Sequence, residues 1–181
     1  MIYTEAPLKG AYIIDMQRIE DERGWFSRTF CKEEFEANGL CCDFVQHNAS
    51  HSIRKGTIRG LHYQLPPYEE IKVVRCTMGK IFDVIVDIRA DSDTYLQWFS
   101  VELSGDNGRM LYIPKGFAHG FQTLCENSEV FYLMSAFYRK GYESGIRWND
   151  AALNINWPIR DGITISEKDA SFVDFPRLAS G

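Results

Sequence analysis

The chain has 181 residues, 45% of them hydrophobic, and a net charge of -5 at neutral pH. This length and apolar content suit one compact domain spanning residues 1–181 and exclude two ordinary ones. The negative charge disfavours a general nucleic-acid surface, although it permits a local basic pocket for phosphates. We therefore expect no nucleic-acid partner.

The chain shows no features of a membrane or secreted protein. No run of about 18 apolar residues occurs, and residues 1–11 lack the basic-then-apolar layout of a secretory signal. The five cysteines are odd in number and lack paired CxxC spacing, which argues against a disulfide framework and against a zinc ribbon. We expect a cytoplasmic protein without membrane contact.

The first predicted elements are short. Residues 11–14 alternate in the way of a strand, and residues 32–38 predict a short helix that ends at Gly39. From about residue 44 to residue 138, short apolar or alternating runs are separated by glycine, proline and polar turns. This pattern predicts an all-β sandwich or barrel.

The clearest hairpin lies in the middle of the chain. Residues 71–76 and 81–88 flank the turn Met78-Gly79. The second run has period two: one face holds Phe82, Val84, Val86 and Ile88, and the other holds Asp83 and Asp87.

Four further strands are predicted after turn-rich stretches. They cover residues 98–103, 109–113, 117–123 and 129–138. The segment 140–181, with Trp157-Pro158 and Phe175-Pro176, predicts loops and small helical turns packed on the barrel.

Two of the four histidines, His62 and His119, lie on predicted strands whose alternate side chains point into the barrel. Each is compatible with an ordinary hydrogen-bonded interior histidine or with a metal ligand. The metal alternative is weak, because Gln64 occupies the inward position where a metal-binding barrel would offer a second histidine. We expect no metal.

Several long motifs occur in one order along the chain. They are Asp21-Glu22-Arg23-Gly24-Trp25-Phe26, Gln46-His47-Asn48-Ala49-Ser50, residues 59–64, Lys72, Phe82-Asp83-Val84 with Asp87-Ile88-Arg89, residues 113–121, Trp148-Asn149-Asp150, residues 155–158 and residues 165–169. With these motifs the chain resembles the dTDP-4-dehydrorhamnose 3,5-epimerase family over nearly its whole length. The resemblance implies a cupin-like jelly-roll β-barrel with a few short peripheral helices and no cofactor.

The resemblance also implies a chemistry. A 4-keto group acidifies the protons on the adjacent sugar carbons C3 and C5, so a base removes one and an acid returns it to the opposite face. His62 matches the family's base and Asp169 its carboxylate partner, which would set the tautomer and stabilise the imidazolium. Tyr132 matches the acid, and Lys72 matches a cation near the keto oxygen.

The nucleotide diphosphate of such a substrate requires cations and a stacking surface. The resemblance supplies candidates for substrate binding: Arg23, Phe26, Gln46, Asn48, Arg59, His119, Tyr138, Glu143 and Lys168. Any single one is compatible with an ordinary surface group.

Arg28 departs from the family, which usually has glutamate at this position on the nucleotide side of the site. A glutamate accepts a hydrogen bond, as from thymine N3–H, whereas arginine only donates. We therefore include Arg28 among the binding candidates and hypothesise an altered base preference, such as a CDP-linked sugar. The alternative is that Arg28 faces solvent or pairs with Glu22.

Other functions remain open from the sequence. They are a C3-only or C5-only epimerase, a ketoisomerase on the same scaffold, a metal-dependent cupin, and a sugar-nucleotide binding protein without turnover. The resemblance further implies a homodimer in which N-terminal strands from residues 1–30 are exchanged and bring Arg23 and Phe26 to the partner's site.

Overall fold

The computed structural model describes residues 1–175 and contains, within them, thirteen strands and two short helices. The strands are β1 (Ile2–Glu5), β2 (Tyr12–Asp15), β3 (Ile19–Asp21), β4 (Gly24–Phe26), β5 (Gln46–Ser52), β6 (Ile58–Gln64), β7 (Lys72–Met78), β8 (Lys80–Asp87), β9 (Trp98–Ser104), β10 (Met110–Ile113), β11 (Phe117–Thr123), β12 (Ser128–Met134) and β13 (Glu143–Gly145). The helices are α1 (Lys32–Ala37) and α2 (Glu167–Ala170).

Two antiparallel sheets form the body of the fold. The six-stranded sheet has the order β1-β2-β10-β7-β12-β5, and the five-stranded sheet has the order β13-β6-β11-β8-β9. Strands β3 and β4 form a separate hairpin. The predicted class, an all-β cupin-like jelly roll with few short helices, is confirmed.

The alternation of side chains along the strands produces three apolar layers. Val74 of β7 and Ile85 of β8 belong to the cluster between the sheets, whereas their neighbour Val73 packs outside with Phe35 of α1. On the other side, Val84 and its outward neighbours pack with Trp157 of the C-terminal segment. The central strands β8, β10 and β11 are therefore covered on both faces and buried almost throughout, whereas the edge strand β5 exposes every second residue.

Most predicted elements are confirmed, with shifted ends. The central hairpin, the strand 117–123 and the short helix before Gly39 are present, and Gly39 adopts the positive φ of +69° that suits a helix terminus. The predicted strand 129–138 instead ends at Met134. The reason is that the side chain of Gln64 binds the backbone of residues 137 and 139 and holds that segment away from the sheet.

The C-terminal segment consists of loops with α2 and the unpredicted short strand β13. The part of the predicted segment from residue 176, including Pro176 of the Phe175-Pro176 motif, lies outside the described residues. Among residues 1–175, neither helix has the length and apolar character needed to cross a bilayer.

Gly60 of β6 and Gly120 of β11 allow these two strands to approach closely, near His62 and His119. A Cβ on Gly60, whose φ is +133°, would lie 2.5 Å from Cα of Gly120. This contact is with backbone and so cannot be relieved by a side-chain rotation. The backbone of Gly60 is therefore held close to β11, at the point where β6 contacts α2.

We expect Gly60→Ala to destabilise the fold by about 3 kcal/mol or more, because it combines a backbone clash with an unfavourable φ. Gly162→Ala is the control, since Gly162 also has a positive φ, of +67°, but has open space around the added methyl and lies outside the β3–β4 hairpin. Its expected cost is about 1 kcal/mol. Urea unfolding would measure both, and equal losses would contradict the clash.

Candidate functional site

An open cavity of about 600 Å³ lies between the two sheets. His62 of the five-stranded sheet lies on one wall, and Lys72 and Tyr132 of the six-stranded sheet lie on the other. The same three side chains also line an adjoining recess of about 210 Å³. The cavity therefore presents polar groups to two sides of a molecule bound within it.

His62 is paired with a buried carboxylate from the far end of the chain. Its Nε2 lies 2.9 Å from Oδ1 of Asp169, whose side chain is 8% exposed while that of His62 is 42% exposed. The backbone N–H of Gly60 donates to Oδ2 of Asp169 over 3.1 Å. The side-chain oxygen of Ser166, the N-cap of α2, accepts from the Asp169 N–H over 3.1 Å. Each of these contacts orients the carboxylate toward the ring.

The environment keeps Asp169 ionised. Burial alone would raise the pKa of its carboxyl, but hydrogen bonds and charge interaction with His62, together with the Gly60 and Ser166 contacts, hold that pKa below its usual value. An ionised carboxylate accepts a hydrogen bond from the Nε2–H of His62. The lone pair on Nδ1 of His62 is then free. The pair thus has the arrangement of a base with its orienting acid.

The register of the six-stranded sheet determines which side chains line the wall opposite His62. Tyr132 of β12 lies directly across from Asn48 of β5, and Met134 lies between Gln46 and Lys72 in the next row. Side chains in these rows share the face that looks toward His62. Three strands therefore contribute polar groups at one end of the barrel.

Lys72 is almost fully enclosed. Its Nζ lies 3.1 Å from Oε1 of Glu70 and 3.5 Å from the carbonyl oxygen of His62, and the Lys72 and Glu70 side chains are 10% and 4% exposed. This ion pair compensates the charge of a lysine inside an otherwise apolar strand.

Tyr132 is half-buried beside the cavity. Burial raises the pKa of its hydroxyl, and the nearby charge of Arg59 offsets only part of that effect. The phenol therefore stays protonated over the physiological range and retains a proton to donate.

A second histidine–aspartate pair lies next to the first. His119 of β11 is the cross-strand neighbour of His62, and its Nε2 lies 2.8 Å from Oδ1 of the fully buried Asp83. Arg59 joins them in the recess and is held by Oγ of Ser52 and the carbonyl of His51, each at 3.0 Å.

The remaining binding candidates around the cavity form one hydrogen-bonded chain at its mouth. The hydroxyl of Tyr138 donates to Glu143 over 3.0 Å, and Lys168 lies 3.8 Å from the same carboxylate. Gln46 accepts from the Tyr138 backbone N–H over 3.2 Å and its own amide contacts Asn48 over 3.3 Å.

Gln64 occupies the position considered for a second metal-binding histidine. Its role in the structure is to connect two loops by hydrogen bonds. Its amide donates to the Tyr68 carbonyl over 2.9 Å and its oxygen accepts from the Arg139 N–H over 2.8 Å. One buried side chain thereby joins the two loops that flank the cavity.

Three candidates are not brought to this cavity within the chain. Arg23 and Phe26 belong to the β3–β4 hairpin, where the side chain of Arg23 is 85% exposed and Phe26 is 66% exposed. Arg28 pairs with Glu34 of α1 at 3.0 Å. The alternative pair with Glu22 is therefore wrong: the chain turns so that the helix, rather than the hairpin, provides the acid.

Sequence reasoning missed the contacts of three supporting residues. Glu70 precedes Lys72 by two positions, and this spacing was the available signal for their pairing. Ser166 precedes Asp169 by three, which is the spacing of a helix N-cap to the backbone N–H that it accepts. Asp83 was recognised within a motif, but its contact with His119 depends on the register between β8 and β11.

Comparisons with known proteins identify the family of the chain. The sequence profile of the dTDP-4-dehydrorhamnose 3,5-epimerase family matches residues 5–177. A dTDP-4-dehydrorhamnose 3,5-epimerase from Shigella flexneri is 46% identical over 178 residues, which cover 96% of each chain.

Two solved structures are also similar. The dTDP-4-dehydrorhamnose 3,5-epimerase of Bacillus anthracis with TDP and PPi bound has a TM-score of 0.93 and 40% identity, covering 96% of this chain and 99% of that one. The Legionella pneumophila dTDP-6-deoxy-D-glucose-3,5-epimerase in complex with dTDP-4-keto-L-rhamnose has a TM-score of 0.91 and 38% identity, covering 96% and 92%. The chain therefore belongs to the dTDP-4-dehydrorhamnose 3,5-epimerase family.

Proposed function

We propose that the chain epimerises C3 and C5 of a dTDP-linked 4-keto-6-deoxyhexose, as in the conversion of dTDP-4-dehydro-6-deoxyglucose to dTDP-4-dehydrorhamnose. The observation that carries the proposal is the 2.9 Å contact between His62 and Asp169 on one wall of the cavity, opposite Tyr132 and Lys72. Acid and base on opposite walls are what inversion at carbon requires, because the proton must leave from one face and return to the other.

The first step of the proposed mechanism is proton removal. Nδ1 of His62 takes the hydrogen from the carbon next to the ketone, and the electron pair of the broken C–H bond forms the enolate. The imidazolium is stabilised by the ionised Asp169. Lys72 donates a hydrogen bond to the oxygen on which the negative charge develops.

The second step is reprotonation from the opposite side. Tyr132 gives its hydroxyl proton to the same carbon, the enolate reverts to the ketone, and the configuration is inverted. The phenolate and the imidazolium then exchange protons with solvent. The raised pKa of Tyr132 supports this role, because it keeps the proton on the oxygen until the enolate accepts it.

We assign the nucleotide to the adjoining recess, which contains Arg59, and to the mouth of the cavity. Arg59 and His119 would bind the diphosphate, while Tyr138 and Lys168 lie at the mouth where a nucleoside would follow. Thymidine is favoured over cytidine, because the similar solved structures contain thymidine nucleotides.

We also propose the homodimer with exchanged N-terminal strands. The β3–β4 hairpin exposes Ile19, Trp25 and Phe26 by 51% to 68%, an apolar patch of the kind that marks a protein interface. In the dimer Arg23 and Phe26 would complete the partner's nucleotide site. A cytoplasmic location is inferred from the five cysteines, all of which lie within residues 1–175 and are free thiols.

His62→Ala should abolish solvent deuterium incorporation at the sugar, with a loss on the order of 10²–10⁴-fold or more, because no other group replaces the base. NMR of dTDP-4-keto-6-deoxyglucose in D₂O measures the exchange at each carbon. His47→Ala is the control, since its side chain lies on the opposite face of β5 and outside this cavity. Normal exchange in the His62 variant would eliminate it as the base.

Calorimetric titration should show tighter binding of dTDP than of CDP, UDP or GDP. The reason is that the similar solved structures bind thymidine nucleotides and that Arg28 has an acidic partner on α1 within its own chain. A clear preference for CDP would reverse this assignment and restore Arg28 as a base-reading residue. Arg28→Ala titrated in parallel should keep the order of preference.

A hybrid dimer would test the strand exchange. We expect the His62→Ala and Arg23→Ala homodimers both to be impaired, whereas a purified heterodimer of the two variants should recover about half of the wild-type turnover. In this hybrid one site has both its own His62 and the partner's Arg23. An inactive heterodimer would mean that Arg23 serves its own subunit, and an active Arg23→Ala homodimer would remove the proposed role of Arg23.

A further inference from the structure

Glu70 is a buried acid that no step of the proposed reaction uses. It lines the cavity, and its Oε1 contacts Nζ of Lys72 at 3.1 Å. Its second oxygen, Oε2, is buried without a hydrogen-bond partner among residues 1–175. Since a buried carboxylate is unfavourable unless it is paired, the ammonium of Lys72 is the group that makes Glu70 tolerable there.

The two acceptors around Lys72 restrict where its ammonium can point. A lysine ammonium has three N–H donors. One contacts Glu70, and a second, longer contact of 3.5 Å reaches the carbonyl of His62, on the strand that carries the proposed base. The third donor remains for a bound molecule. Without the carboxylate, the flexible four-carbon stem would have other rotamers available.

We propose that Glu70 is a positioning residue, which holds the Lys72 ammonium at the place where the keto oxygen of the substrate gains negative charge. The assignment rests on the proposed epimerase function. A donor stabilises an enolate best when it is in place before the charge develops, and a small misplacement of a catalytic group reduces the rate strongly. Loss of Glu70 should therefore lower kcat while leaving KM nearly constant.

A double-mutant cycle tests the assignment. The variants are Glu70→Gln, which keeps the size of the side chain and removes its charge, Lys72→Met, and the two combined. We expect Glu70→Gln to reduce kcat and deuterium exchange about tenfold with KM within about twofold of wild type, and Lys72→Met to reduce them about a hundredfold or more. The double variant should be no slower than Lys72→Met, because Glu70 acts through Lys72.

Thermal unfolding provides an independent measurement. Lys72→Met leaves a buried, unpaired carboxylate, so its unfolding midpoint should lie below that of the double variant, in which the charge is also removed. Glu69→Gln, a charge-neutralising change at the adjacent position, should keep wild-type rate and stability.

The outcomes separate the two proposals. If Glu70→Gln has wild-type kcat, or if its effect multiplies that of Lys72→Met, Glu70 does not act through the lysine and the assignment is overturned. A wild-type protein that incorporates no deuterium into the sugar would overturn the proposed function itself, and the assignment with it.

Discussion

The contact between His62 and Asp169 is the interaction on which the site depends, and it joins residues 107 positions apart in the chain. A histidine without that carboxylate would have no fixed tautomer, and the carboxylate without the histidine would be buried with only the Gly60 and Ser166 contacts to compensate its charge. The fold positions both residues of this pair. Gly60 allows β6 to lie close to β11 and donates to Asp169, while Ser166 caps the short helix that carries the acid.

The two-sheet architecture determines what this pair faces. Period-two alternation sends Lys72 and Tyr132 inward from the six-stranded sheet, and it sends His62 and His119 inward from the five-stranded sheet. Polar groups therefore face the cavity from two sides, which is the geometric condition that the proposed inversion of a carbon centre requires. The buried carboxylates of this region have partners, since Glu70 contacts Lys72 and Asp83 contacts His119.

The site shows which partnerships the family resemblance implied and which it did not. The proposed roles of His62, Tyr132 and Asp169, and the pairing of His62 with Asp169, were implied by the resemblance, and all three residues line one pair of adjoining spaces. Arg28 illustrates the opposite case. Its position in the family pattern suggested a nucleotide contact, yet its guanidinium lies against Glu34 of α1, a helix that was predicted without this contact. An exposed cation takes whichever acid the chain path brings near it.

The β architecture, the central hairpin and the short first helix could be predicted from the amino-acid sequence, because they depend on local periodicity and turn residues. The site residues and the pairing of His62 with Asp169 were implied by the family resemblance. The partners of Lys72, His119 and Arg28, the end of β12 and the contacts of Gln64 became known only from the folded chain. Those features depend on strand register and on contacts between distant segments, such as Gln64 with Arg139. A shift of one residue in register would turn each such side chain to the other face of its sheet, and a short stretch of sequence contains no information about that register.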